Sequence, residues 1–200
     1  MIMKTRILIL PFLTACLIIM QSCCRAECPA ETVEFWAMLT KSAIHGDESW
    51  EDPIGTQIGA QMPVSYLSNS LILNAGAKIS LQGAGWKEYD LEGRTNLWYL
   101  YLPLTLRYQH TSGFYGEAGL QPGYLFRAMD KYEGTSESYM DHMKRFDLSL
   151  PVAIGYKFSN NFGINLTVIP GITDITKDED VKDVNFVMGL GVTYTFRIRD

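Results

Sequence analysis

From Phe146 onward, apolar side chains recur at every second residue. Phe146, Leu148, Leu150, Val152, Ile154, Tyr156 and Phe158 alternate with Asp147, Ser149, Pro151, Ala153, Gly155 and Lys157. A period of two puts the first set on one surface of an extended strand and the second set on the other. After Ser159, Asn160 and Asn161 the pattern resumes with Phe162, Ile164, Leu166 and Val168 against Gly163, Asn165 and Thr167. It returns as Phe186, Met188, Leu190, Val192, Tyr194 and Phe196 against Val187, Gly189, Gly191, Thr193 and Thr195. Each of the three segments predicts a long strand with two different surroundings.

The same reading toward the N-terminus predicts five more strands, over residues 33–44, 54–64, 71–81, 98–108 and 114–128. The first is the weakest: Phe35, Ala37 and Leu39 share a face, but Trp36 and Met38 blur the alternation. Residues 45–52, 82–96 and 129–145 and an acidic stretch before Phe186 read as long loops, and the remaining connections as short turns. Long and short connections alternate through the chain. The prediction is all-β: an eight-stranded antiparallel up-and-down transmembrane β-barrel, with both termini at the short-turn, periplasmic end.

A soluble lipocalin-like barrel has the same alternation with the apolar face turned inward. Three features favour lipid on that face. The other face is crowded with small residues (Gly119, Gly123, Ala153, Gly155, Gly163, Gly171, Gly189 and Gly191), as a narrow eight-stranded interior requires. Aromatics on the apolar face gather beside the short turns: Tyr108, Phe114, Tyr156, Phe158, Phe162, Tyr194 and Phe196 read as an interfacial girdle. The strands are also about 11 residues long, enough for a tilted crossing. Pro103, Pro122, Pro151 and Pro170 pull the other way, since each removes a ladder donor within a predicted strand.

With alternate positions pointing inward, the lumen holds Lys78, Arg107, Glu117, Arg127, Asp147 and Lys157. Arg107 and Glu117 flank a single turn and can meet across it. Mixed charges in so narrow an interior must pair to offset their desolvation, so they read as a plug that holds the barrel closed rather than as a porin-type channel.

Composition adds bounds. The 200 residues are 47% apolar with net charge −5, which suits one domain and argues against a nucleic-acid partner. Lys4 and Arg6 followed by apolar residues 7–20 read as a signal peptide, residues 1–26, leaving 27–200 as the barrel domain. Cleavage near Ala26 is the preferred reading; Cys16 and Cys23 each close a lipobox-like tetrapeptide and keep lipoprotein processing open. All four cysteines precede residue 29, so neither a disulfide framework nor a cysteine metal site is expected in the domain.

Candidate chemistry is sparse. His142 shares a loop with Ser136, Ser138 and Asp141, the ingredients of a hydrolase set with nothing to orient them. Asp174, Asp178, Glu179, Asp180 and Asp183 match no EF-hand spacing. No enzyme activity, cofactor or metal is expected.

The hairpin Tyr99-Leu100-Tyr101-Leu102-Pro103-Leu104 followed by Phe114-Tyr115-Gly116-Glu117-Ala118-Gly119, with the closing residues 189–196, resembles the outer-membrane β-barrel domain family, often labelled "porin family protein", of Bacteroidetes-type Gram-negative bacteria. The resemblance implies a barrel inserted into the cell outer membrane by the outer-membrane assembly machinery. It also implies strand prolines at such positions, and mostly no assigned activity. The chain departs from that pattern in continuing past Phe196 with Arg197 to Asp200. The expected role is structural or surface-binding through long extracellular loops, for a monomer whose partners are outer-membrane lipid and the assembly machinery. The surface ligand is unspecified. A lipid-modifying enzyme barrel and a soluble lipocalin-like periplasmic binder are the alternatives.

Overall fold

In the computed structural model, residues 31–45, 54–88, 91–132, 134–178 and 182–198 are described. The expected signal peptide and every cysteine lie outside them. The strands are β1 (Thr32–His45), β2 (Ile54–Tyr66), β3 (Leu71–Glu88), β4 (Leu91–Tyr101), β5 (Leu104–Gln109), β6 (Phe114–Tyr132), β7 (Thr135–Ser138), β8 (Phe146–Ser149), β9 (Val152–Lys157), β10 (Phe162–Pro170) and β11 (Val184–Arg197). All pairings are antiparallel, and β1 pairs with β11 from Thr32↔Arg197 to His45↔Val184, closing the sheet. β4 and β5 are one strand interrupted at Leu102 and Pro103; β8 and β9 are another, interrupted at Leu150 and Pro151; β7 stands off the ring. The closed ring therefore has eight strands.

The apolar face looks outward. Leu39 is 67%, Ile154 63% and Leu190 66% exposed, while Thr193, Asn185 and Gln57 on the opposite face are buried. This excludes the lipocalin-like arrangement. The expected girdle residues all lie on the outer face at the short-turn end. There Phe114 meets Tyr156 (ring centroids 4.8 Å apart), Phe162 meets Tyr194 (4.7 Å), and Tyr194 meets Phe196 (4.4 Å), all edge to face. Phe35, which the sequence pattern left out of the girdle, extends it at 5.5 Å from Phe196.

The prolines fit because their carbonyls stay in the ladder and their missing N–H groups fall at the interruptions. Gly76 N–H donates to Pro103 O (2.9 Å) and Gly119 N–H to Pro151 O (3.1 Å). Leu102 N–H donates to Pro122 O and Leu150 N–H to Pro170 O, both at 2.9 Å. These pairs belong to two copies of one hairpin. Pro103 and Pro151, Tyr108 and Tyr156, Gly113 and Asn161, Phe114 and Phe162, and Pro122 and Pro170 each stand 48 positions apart. Gly113 (φ 101°) and Asn161 (φ 68°) turn the chain in the left-handed region that Gly and Asn tolerate best.

Two expected loops are strands. Residues 82–88 of β3 pair with 91–97 of β4, and β6 continues to Tyr132 with β7 folded back on it. There the binary pattern inverts. Ala84, Leu97, Leu125 and Ala128 are wholly buried inside, and Arg94 and Lys131 stand opposite each other on the outside. This portion rises above the lipid, where water is outside and the apolar core within.

Candidate functional site: a side-chain-filled lumen under a loop cap

Three layers fill the barrel. At the short-turn end a vestibule of about 700 Å³ opens between the turns and is lined by Gln61, Asn74, Gln109 and half-buried Lys157. Its floor is an ion-pair cluster. Arg107 Nη1 and Nη2 donate to the two carboxylate oxygens of Glu34 at 2.9 and 2.6 Å, and Nε donates to Glu117 Oε2 at 2.6 Å. Gln61 Nε2 donates to Glu34 (3.0 Å), Thr105 Oγ1 donates to Glu117, and the guanidinium lies 4.3 Å from the Tyr115 ring centroid. Arg107 and Glu117 are direct register partners, as their spacing around the turn predicts. Glu34 was not singled out in the sequence, although it shares parity with Trp36 and Met38, the inward positions of β1.

Above the floor, a void of about 60 Å³ touches Gln121 and Asn165, whose side-chain oxygens lack a protein partner. Over it sits Lys78, whose Nζ donates to Gln57 Oε1 at 3.0 Å and lies 5.6 Å from the Trp36 ring and 5.3 Å from the Tyr101 ring. Tyr101 separates this cation from Asp147. Its hydroxyl donates to Asp147 Oδ2 (2.5 Å) and accepts from Gln82 Nε2 (2.7 Å). Thr173 Oγ1 donates to the other carboxylate oxygen at 3.0 Å. Tyr99 and Tyr101 stack at 5.3 Å. Gly123 makes room for them, since a Cβ there would sit 2.2 Å from Tyr101 Cε1. Sequence alternation put both tyrosines opposite the apolar face without identifying them as the filling of the lumen.

The third layer is apolar. Ile44, Leu97, Leu125, Met143 and Ile175 pack together, with Tyr139 and Met140 against them. Met143 and Ile175 come from the two segments that join β7 to β8 and β10 to β11. The segments are stitched by a bridge between Met143 and Thr176, by Lys144 N–H donating to Ile175 O (2.7 Å), and by Lys177 N–H donating to His142 O (2.9 Å). Lys144 Nζ donates to Asp174 Oδ2 at 2.5 Å. Slight burial raises the Asp174 pKa, but the hydrogen bond from Lys144 and the N–H groups of Thr176 and Asp183 outweigh it and hold the carboxyl below its ordinary value. These segments, expected as solvated loops, form a cap whose apolar side chains insert into the mouth of the barrel.

Arg127 is a correction. A register shift between Trp98 and Tyr99 is matched in β6 by Phe126 and Arg127 lying consecutively on the outside, so Arg127 is exposed on the outer wall. Lys78, Arg107, Asp147 and the Glu117 side chain are inside. The hydrolase ingredients do not assemble: His142 stacks on Tyr139 at 4.9 Å, and Ser136 and Ser138 are exposed on β7. Among the described residues no group of three or more His, Cys, Asp or Glu side chains is placed to hold a metal ion.

A closed antiparallel ring with lipophilic residues outside, an aromatic girdle and a polar, side-chain-filled lumen defines a transmembrane β-barrel. The sequence profile of the outer membrane protein β-barrel domain family matches residues 40–177. The chain belongs to that family, and its place is the cell outer membrane. Among solved structures it is similar to Neisserial surface protein A, with TM-score 0.51 and 14% identity over 82% of this chain and 96% of that one. It is also similar to Ail, the attachment invasion locus protein of Yersinia pestis, with TM-score 0.46 and 19% identity over 84% and 99%. OprG from Pseudomonas aeruginosa gives TM-score 0.48 and 17% identity over 84% and 97%. No curated protein matches the chain.

Proposed function

We propose that this barrel is a non-conducting, non-catalytic outer-membrane protein that presents its extracellular cap as a binding surface, with lumenal ion pairs holding the scaffold closed. The observation that carries this reading is the burial of Met143 and Ile175 over Leu97 and Leu125. A cap seated by apolar side chains is a fixed platform, whereas a pore needs a mouth that solvent can cross. Beneath it, Arg107 is held by two carboxylates and Asp147 by two hydroxyls, so a solute moving through would have to break each layer in turn. The loops give specificity and the barrel gives rigidity, the usual division between scaffold and connection. Partners consistent with this reading are outer-membrane lipid around the barrel and the outer-membrane assembly machinery during insertion, with the protein acting as a monomer.

Planar-bilayer recordings test the closed lumen. The wild-type barrel should show no steps, and neither should a variant with Arg107→Ala, Glu34→Ala and Glu117→Ala combined, because the Tyr101–Asp147 layer and the cap above it stay in place. Steps from wild type would overturn the reading. A lipid A mass spectrum from cells with and without the gene tests the absence of lipid chemistry, and an altered acyl pattern would count against it.

A further inference from the structure

The geometry points to a binding site for the phosphate group of an outer-leaflet lipid headgroup, made by Arg127 and Arg145 on the outer wall of the barrel. This inference goes beyond the cap reading and rests on a different surface.

The irregularity in β6 is the first observation. Leu125 and Ala128 are both wholly buried inside, so Phe126 and Arg127 between them both face out. Without the bulge, strict alternation would send Arg127 into the lumen. Bulges commonly re-aim a side chain in this way. Here the side chain re-aimed is a guanidinium.

The second observation is height. Trp98 and Tyr108 mark the two ends of the outward apolar row on β4 and β5, ten positions apart. At about 3.3 Å per residue and a tilt of about 40° that is roughly 25 Å, the height of the apolar band of such barrels. Trp98 packs on Phe126 (6.4 Å between centroids) at the upper edge of that band. Arg127 is the next residue of β6, which places it at the headgroup level of the extracellular leaflet.

The third observation is the company it keeps. Arg145 leads into β8 beside it: its carbonyl accepts from Leu125 N–H at 2.7 Å, and its Nη1 donates to Tyr124 OH at 2.9 Å. That hydroxyl holds the guanidinium against the wall. Lys131 is exposed further along the same face of β6. Three acids of this region do not face the pair. Asp130 accepts from Trp86 Nε1 and Thr95 Oγ1, Asp147 is inside, and Glu137 is the register partner of Asp130, on the face opposite to Arg127. None of the ion pairs among the described residues uses Arg127, Arg145 or Lys131.

Two planar guanidinium groups on an aromatic shelf, at the boundary between lipid and water, suit a phosphate monoester: each can offer two parallel N–H donors to its oxygens. Basic clusters at a membrane boundary are also the usual readers of anionic headgroups.

The test uses the full barrel in phosphatidylcholine nanodiscs doped with either bisphosphorylated or fully dephosphorylated lipid A, with retained lipid counted by native mass spectrometry. The phosphorylated lipid should be retained, and the dephosphorylated one about tenfold less. Arg127→Gln and Arg145→Gln should each lower the preference about tenfold, and Arg127→Lys should restore part of it. Equal retention of the two lipids by wild type overturns the proposal, and so does an unchanged preference in the doubly substituted barrel. Inorganic pyrophosphate retained by wild type without lipid A assigns the site to soluble phosphate and overturns the headgroup assignment. Both arginines are exposed, so the folded band on unheated gels should persist. Should a variant fail to fold, the wild-type comparison of the two lipids still decides.

Discussion

Replacing Arg107 by Met tests the floor of the lumen most severely. Methionine keeps much of the volume and removes the only charge that Glu34 and Glu117 share. In the native barrel the guanidinium makes three hydrogen bonds to these carboxylates, at 2.6 to 2.9 Å. Both carboxylate side chains are about as buried as Arg107 itself, at 8 to 9% exposed. Once it is gone, Gln61 and Thr105 offer one donor each, and two like charges remain in a narrow interior. Breaking a buried pair by deleting one partner costs about 3–5 kcal/mol, most of it from the ion left behind. Glu117→Leu should cost less, about 1.5–3 kcal/mol, because Arg107 keeps its two-pronged contact with Glu34. The triple variant Arg107→Met, Glu34→Gln, Glu117→Gln should recover most of the loss, since no buried carboxylate is left without its cation. Urea unfolding of the barrel in lipid vesicles, followed by the heat-sensitive mobility of the folded band, measures all three. The reasoning is refuted if Arg107→Met costs under about 1 kcal/mol, or if the triple variant is no more stable than the single one.

Other consequences follow from the upper layers. Gly123→Ala pushes a Cβ into the Tyr101 ring, which its bonds to Asp147 and Gln82 hold in place, so the folded-band midpoint should drop by about 1–3 kcal/mol equivalent. Met143→Asp puts a charge into the apolar seat of the cap and should open it: protease cleavage within residues 139–145 should appear while the barrel itself stays resistant. The Asp174–Lys144 contact has a predictable pH dependence. The carboxyl's pKa in the folded cap lies below its ordinary value of 3.8, so the contact's contribution is full above that value and is lost as pH falls through the lowered one. Hydrogen exchange at Ile175 and Thr176 should therefore be unchanged between pH 7 and 5 after correction for intrinsic rates, and should accelerate only below about pH 4.

Much of the barrel can be read from side-chain parity alone, because lipid and lumen impose opposite demands on neighbouring residues. The Leu190 row and its glycine counterparts show this most clearly. Parity also brings Arg107 and Glu117 together across one turn. It fails where its physical premise fails. Above the lipid, Leu97 belongs inside and Arg94 outside, so the inverted pattern of residues 82–96 reads as loop. One extra residue at Phe126 and Arg127 reverses every assignment beyond it, and nothing local in the sequence announces such a bulge. Met143 and Ile175 follow no period, because the cap is irregular backbone whose burial is decided by the mouth it covers. Glu34 was concealed by Trp36 and Met38, bulky residues that fill the lumen beside it and look like lipid-facing ones in sequence.

The orientation of the two faces is the claim on which the rest depends. In a cysteine-free background, nitroxide labels at Leu190→Cys and Thr193→Cys on β11, in a reconstituted bilayer, can be compared for relaxation by oxygen and by a water-soluble nickel chelate. The label at 190 should respond strongly to oxygen and hardly to nickel, while the label at 193, packed among lumenal side chains, should be shielded from both. A label at 190 that nickel reaches freely, with oxygen favouring 193, would place the apolar rows inside and contradict the account.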